Sequence, residues 1–348
     1  MKIKVVVVFL FLIISCEQKL EPLLESDQNS YVFTSETDLL NSEYLSEIEN
    51  FYNSVHGETF IGVDSIPIYY KIFLQQKDSK GAILISTGRT ESTIKYKELI
   101  FDLYANGFSI YIHDHRGQGS SGRMALDREI GFVEDFQDYV IDMKNFYTSK
   151  VVPNKHEQVY LLAHSMGGAI GFSYLEQFPS DFKAAAFSSP MFGLGFIECS
   201  LGKAFDKDIP KYAPTQKNYL ESRESFKNNT LTNCEVRFNL FSKAYMQEPL
   251  VRLGGVSLHW LYESCNQFDF MFQDISKIET PSLIFSAEEE QIVDPKAHYK
   301  FVKEATFKNK PIFGYSVKSA KHELFIENDA VRQNVLASIL TFFESHSE

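Results

Sequence analysis

The sequence predicts a layered α/β fold: a mostly parallel central sheet, helices on both faces, and a helical cap inserted between two strands. Short apolar runs alternate with amphipathic helical stretches from Ala82 to Gln177 and again from Ser282 to Ser345. That alternation lapses between about residues 190 and 275, a stretch rich in aromatic and polar residues. At the centre, Tyr160-Leu161-Leu162-Ala163-His164-Ser165-Met166-Gly167-Gly168 reads as a strand that meets a Ser between small residues and turns into a helix. Repeated βα units give parallel sheets covered on both faces. Such sheets bind ligands beyond the carboxyl ends of their strands, so an insertion of this length reads as a cap over that edge.

The elements follow in order. Asp38 to Tyr52 carries Leu40, Tyr44, Leu45, Ile48 and Phe51 at helical spacing, as a surface-docked helix would. Phe60 to Tyr70 and Ile72 to Leu74 read as an opening strand pair, with Asp64-Ser65 at the turn. Ala82 to Ser86 is an apolar strand, and a helix from about Ser92 to Asn106 ends at Gly107. Phe108 to His113 is the next strand, leading into the Gly-rich loop Asp114 to Gly122 and a helix over Phe132 to Ser149. Gln158 to His164, Ala184 to Ser188, Ser282 to Ser286 and Ile312 to Val317 read as further strands. Helices are expected over Ala169 to Gln177, from Asp294 or Pro295 to Ala305, and over Asp329 to Ser345.

Composition narrows the class. At 348 residues, 44% hydrophobic and 23% charged, the chain can bury a large core. Its formal net charge of -12 argues against a nucleic-acid partner. Nine acidic residues and one base lie between Glu17 and Asn50, so most of that charge is local. Residues 17 to about 37 read as an acidic tether.

The N-terminus reads as an export signal. Lys2 and Lys4 precede ten unbroken apolar residues, Val5 to Ile14, too few to span a bilayer but suited to a signal-peptide core. The run ends Ile13-Ile14-Ser15-Cys16, which resembles a bacterial lipobox. The resemblance implies cleavage before Cys16, acylation of its sulfur, and a chain held at a membrane of the cell envelope. An ordinary signal peptide or an uncleaved short anchor is the alternative. With Cys16 lipidated, three cysteines remain, enough for one internal disulfide. Cys199 and Cys234 could pair in an oxidising compartment. No zinc spacing is present.

The chemistry centres on Ser165. A strand–Ser–helix turn of this kind is a nucleophile elbow, strained so that only small residues fit two before and two after the Ser. Ala163 and Gly167 meet that need, although Gly is usual at the first position. A Ser hydroxyl needs a base, and the base needs an acid to fix its tautomer. In an elbow fold they follow in the order Ser, acid, His. Beyond the cap, His298 falls in an expected surface helix and His346 in the last three residues, whereas His322 sits in a loop after the last strand. His322 is the expected base. In Ala287-Glu288-Glu289-Glu290-Gln291-Ile292-Val293-Asp294, Glu290 occupies the turn and is favoured as the acid. Asp294, which also reads as the N-cap ahead of Pro295, is the alternative. The backbone N–H groups of Met166 and of Arg89, in Thr87-Gly88-Arg89-Thr90, are the expected oxyanion donors. The run Gly117 to Gly122 lacks the Lys of a nucleotide loop. His113 and His115 lack a third metal ligand. No cofactor or metal is expected.

Ile85 to Ser92, Asp114 to Arg123, Leu162 to Ala169 and Ser189-Pro190-Met191-Phe192-Gly193 resemble the bacterial lysophospholipases of the monoacylglycerol-lipase-like branch of the α/β-hydrolases. Arg252-Leu253-Gly254-Gly255 with His259-Trp260, and the tail through Lys321-His322-Glu323, are similar too. The resemblance runs from about Gly57 to Phe343, and Ala163 is shared with the lysophospholipase subgroup. It implies an α/β-hydrolase fold and hydrolysis of a lysophospholipid, or of a monoacylglycerol or another short ester as the alternative. A non-catalytic binding lipoprotein on a hydrolase scaffold is the rival of a different class. The expected layout is a signal over 1–15, tether and docking helix over 16–50, a core over 51–190 and 276–348, and a cap over 191–275.

Overall fold

A computed structural model describes residues 19–195, 199, 210–222 and 225–347. The expected signal peptide and the lipidation site Cys16 lie outside the described residues. Nine strands form one sheet: β1 (Glu21–Pro22), β2 (Glu58–Ile61), β3 (Pro67–Phe73), β4 (Ala82–Ser86), β5 (Ser109–His113), β6 (Val159–His164), β7 (Ala184–Ser188), β8 (Ser282–Ala287) and β9 (Ile312–Val317). Their spatial order is β1-β9-β8-β7-β6-β4-β5-β3-β2. The pairings β2–β3 and β3–β5 are antiparallel and the others parallel. The strands β4 to β8 are buried along their whole length except at Val159, the first residue of β6, as the continuous apolar runs require.

Strand alternation divides the core into two layers. Leu84, Tyr111, Leu161 and Ala163 face one side. There they pack on α4 (Gln137–Phe146), α5 (Met166–Gln177), α8 (Leu258–Asp274) and α9 (Pro295–Phe307). Ile83, Ile85, Tyr160 and Leu162 face the other. They pack on α3 (Lys97–Ala105) and α10 (Asp329–Ser345), with Tyr52 of α2 (Ser42–Ser54) at the rim. Gly107 follows α3 at φ +97°, a conformation that suits only Gly at this cap.

Four expectations about these elements are corrected. Residues 21 to 37 are not a tether. Glu21–Pro22 extend the sheet beside β9, and Leu23 N donates to Ser316 O at 2.8 Å. Ser26 N donates to Asn334 Oδ1 at 2.7 Å, and the Thr34 hydroxyl donates to Asp102 Oδ1 at 2.6 Å. Backbone polar groups in an acidic but not charge-repelling segment find partners on the core, which acidity alone does not forbid. The docking helix is two helices, α1 (Glu36–Leu40) and α2, separated at Asn41, whose side chain caps the second. His298 is fully buried rather than on a surface: its ring nitrogens meet Ser286 Oγ at 2.8 Å and Pro190 O at 2.6 Å. The helix over Phe132 to Ser149 is shorter than expected, with a single π turn over Tyr147–Val151 after α4.

Between β7 and β8 the described insertion carries α6 (Tyr219–Ser222), α7 (Glu235–Gln247) and α8. The buried Arg237 guanidinium fixes α7 to the core: it meets Glu98 of α3 and Asp329 of α10, and donates to Thr34 O and Glu327 O. Cys199 pairs with Cys265 of α8, not with Cys234, which is free and buried. Among the described residues no helix is long and apolar enough to cross a membrane.

Candidate active site

Ser165 stands between β6 and α5 at φ +51°, ψ -119°, outside the regions an L-residue favours. The neighbouring chain fixes this conformation. Ser165 N donates to Ser188 O at 3.0 Å, and its carbonyl accepts Gly168 N at 2.8 Å and Met191 N at 2.9 Å. A Cβ on Gly167 would lie 2.2 Å from Ser86 O, and one on Gly168 would lie 2.5 Å from Pro190 Cβ. The small residues are therefore what lets α5 start this close to β4. The tight turn lifts the hydroxyl to the carboxyl edge of the sheet.

The loop after β9 brings His322 to the same edge. Its Nε2 lies 3.0 Å from Ser165 Oγ, although 157 positions separate the two residues. Its Nδ1 lies 2.8 Å from Glu290 Oε2, in the loop after β8. Glu290 Oε1 accepts Ile292 N at 2.8 Å and Val293 N at 3.2 Å. Burial alone would raise the Glu290 carboxyl, but His322 and these N–H groups together hold it at about 2. A carboxylate accepting from Nδ1–H leaves the Nε2 lone pair facing the Ser hydroxyl, the tautomer that proton removal needs. Asp294, the alternative acid, instead caps α9, its Oδ1 accepting Lys296 N at 3.0 Å.

Met166 opens α5, so its N–H has no partner inside the helix. Arg89 follows Gly88 in the loop after β4, and Thr90 next to it holds φ +63°. The Arg89 side chain turns to the cap, donating to Gly254 O at 2.7 Å with its guanidinium 5.7 Å from the Trp260 ring centre. The Gly-rich loop after β5 is a brace rather than a ligand site. Gln118 Nε2 donates to Gly88 O at 2.7 Å, and Arg116 pairs with Asp138 and Asp142 of α4. His113 and His115 lie on the same side of this loop. They are buried edge to face, and His115 Nε2 lies 3.2 Å from Ser86 Oγ.

A cavity of about 520 Å³ opens above Ser165 and His322. Its roof comes from the insertion: Leu231, Phe238, Phe241, Tyr245, Leu253 and Trp260. One wall holds a buried ionic group that the sequence reading missed: Glu91, Lys95, His164 and Glu323. Lys95 stands four residues from Glu91 and Glu323 stands next to His322. That spacing and adjacency were the only signals, and neither is specific.

A strained Ser at an elbow, a His at its hydroxyl and a carboxylate behind that His define a serine hydrolase built on an α/β-hydrolase sheet. Residues 77–329 match the family described as serine aminopeptidase, S33. The chain belongs to this family, in its lysophospholipase and monoacylglycerol-lipase-like branch. It is 33% identical over 315 residues to lysophospholipase L2 of Escherichia coli strain K12, covering 87% of this chain and 92% of that one. Its fold is similar to that of a soluble variant of monoglyceride lipase from Saccharomyces cerevisiae solved with a substrate analogue. That match has a TM-score of 0.65 at 20% identity, covering 84% of this chain and 94% of the other. A monoacylglycerol lipase from Paleococcus ferrophilus aligns with a TM-score of 0.62 at 19% identity, over 80% of this chain and 99% of that one.

Proposed function

We propose that this chain hydrolyses the single acyl ester of a lysophospholipid through a covalent acyl-enzyme. Ser165 Oγ attacks the ester carbonyl carbon as His322 Nε2 takes its proton. Glu290 stabilises the imidazolium, and the Met166 and Arg89 N–H groups receive the oxyanion. The tetrahedral intermediate collapses, the ester C–O bond breaks, and His322 protonates the leaving glycerol oxygen. Water, deprotonated by His322, then releases the fatty acid and restores Ser165. The observation that carries the substrate class is the aromatic and aliphatic roof over Ser165. It gives one acyl chain a concave apolar surface, within the size range of ligand pockets. The relatedness to a lysophospholipase over most of both chains supports the glycerophosphate head group over a bare glycerol.

Peptide cleavage, which the family description names, fits less well. Recognition of a peptide N-terminus needs free carboxylates near the nucleophile. The pair at this cavity, Glu91 and Glu323, already holds the Lys95 ammonium.

We further propose that the chain is exported and held at a membrane through a lipid on Cys16. The Cys199–Cys265 disulfide supports export, because such bonds persist in oxidising compartments.

A fluorophosphonate probe tests the chemistry: labelling is expected on the parent chain and absent from Ser165→Ala. Labelling that survives this change sinks the catalytic reading and favours a binding lipoprotein. A panel of lysolipids, monoacylglycerols and chromogenic esters tests the substrate, with kcat/KM expected to be highest for lysophospholipids. Globomycin-sensitive processing, lost in Cys16→Ala, tests the anchor.

A further inference from the structure

The proposed chemistry leaves unused the buried group on the cavity wall, whose four side chains come from three separate parts of the chain. Glu91 lies just beyond the Gly88-Arg89 oxyanion loop. One of its carboxylate oxygens accepts the Gly88 N–H and the Tyr96 hydroxyl, and the other meets the Lys95 ammonium. The same ammonium lies 2.6 Å from Glu323 Oε1, one residue beyond His322. Glu323 Oε2 lies 3.1 Å from Nε2 of His164, the residue before Ser165. His164 Nδ1 faces Ser188 O at 3.1 Å, and its ring centre is 4.8 Å from that of His322. All four side chains are at most 8% exposed.

Two carboxylates and an imidazole whose donor atoms lie within 4.8 Å of one another have the make-up of a cation site. Here the cation is part of the protein, because the Lys95 ammonium already bridges both carboxylates. With His164 protonated the group is neutral, which suits its burial. Burial opposes both cationic charges, yet the flanking carboxylates raise Lys95 and His164 above their ordinary values.

We infer that Lys95 is a positioning residue that clamps the oxyanion loop to the loop of the base. Through Glu91 it holds the peptide unit leading to the Arg89 N–H. Through Glu323 it fixes the backbone on the far side of His322. Removing the ammonium leaves two buried carboxylates in mutual repulsion, each on a different catalytic loop, so the loops separate. Displacement of a donor or base by about 1 Å lowers turnover roughly a hundredfold and leaves apolar chain binding in place. The inference rests on the Ser165–His322–Glu290 reading.

Lys95→Ala tests it with a short soluble ester. The expected result is a kcat at least about tenfold lower with KM within about twofold. Added ethylammonium is expected to restore part of the loss, because Glu91, Lys95 and Glu323 line the cavity and a small cation can enter the vacated place. Ethanol, of similar size and uncharged, is expected to restore nothing, and the parent chain to respond to neither. An unchanged kcat, or a loss that ethylammonium does not relieve, overturns the clamp. Where Lys95→Ala shows no cooperative melting, Glu323→Gln takes its place. Its amide can still accept from His164 but removes one of the two charges on the ammonium. A lower kcat at constant KM is expected, and an unchanged kcat overturns the proposal. Ser165→Ala measured in parallel separates the two readings. Its full turnover sinks the triad, whereas its inactivity beside a fully active Lys95→Ala sinks only the clamp.

Discussion

At the scale of single residues, the two acids left open by the sequence have different jobs in the structure. Glu290→Gln should lower kcat by three to four orders of magnitude, because an amide no longer fixes the imidazole tautomer or balances its charge. Asp294→Ala should keep kcat within about twofold while costing about 1 kcal/mol of stability through the lost helix cap, read from a urea titration. The depressed Glu290 carboxyl also carries a pH signature. Its folded value of about 2 lies below the ordinary 4.5, so the stability it adds is present above 4.5 and lost as pH falls through about 2. The stability difference between the parent chain and Glu290→Gln should therefore shrink as pH falls from about 4.5 to 2. Ser165, His322 and Glu290 were readable because each follows a strand end in a fixed order along the chain. Lys95 and Glu323 were not, because their meaning comes from loops more than 200 residues apart that only the folded sheet brings together.

At the scale of elements, the parallel strands were legible because burial on both faces demands unbroken apolar runs, as in Ala82–Ser86 and Ala184–Ser188. Polar residues docked along an edge leave no such trace, which is why Glu21 to Thr34 read as a tether. His298 illustrates the same limit: one polar residue on an amphipathic helix can be buried when Ser286 and Pro190 supply partners. The elbow gives a sharp test. Gly167→Ala places a methyl within 2.2 Å of the Ser86 carbonyl, and backbone cannot yield as a side chain can. Fluorophosphonate labelling should fall with it, even for chains that remain folded by circular dichroism. The disulfide joins Cys199 to α8 across 66 positions. Cys265→Ser should cost about 2–4 kcal/mol, and reductant should shift the parent chain's melting by a similar amount while leaving the variant unmoved.

At the scale of the whole molecule, the insertion is joined to the core by charge as well as by apolar packing. Arg237 on α7 is 2% exposed and gathers Glu98, Asp329 and two carbonyls from the core. Arg237→Met should lower the urea midpoint, since it strips a partner from the half-buried Asp329 and leaves Glu98 to Arg332 alone. This end of the roof is therefore held to the core by Arg237.

The short strand β1 has a consequence for reach. A lipid on Cys16 would leave five residues before Glu21 joins the sheet, a span of at most about 18 Å even when fully stretched. On so short a leash the enzyme would stay beside the leaflet that held it and would not reach a second bilayer. Lengthening that stretch with a flexible Gly-Ser spacer should leave hydrolysis of dissolved esters unchanged while altering the turnover of lipids embedded beside the anchor.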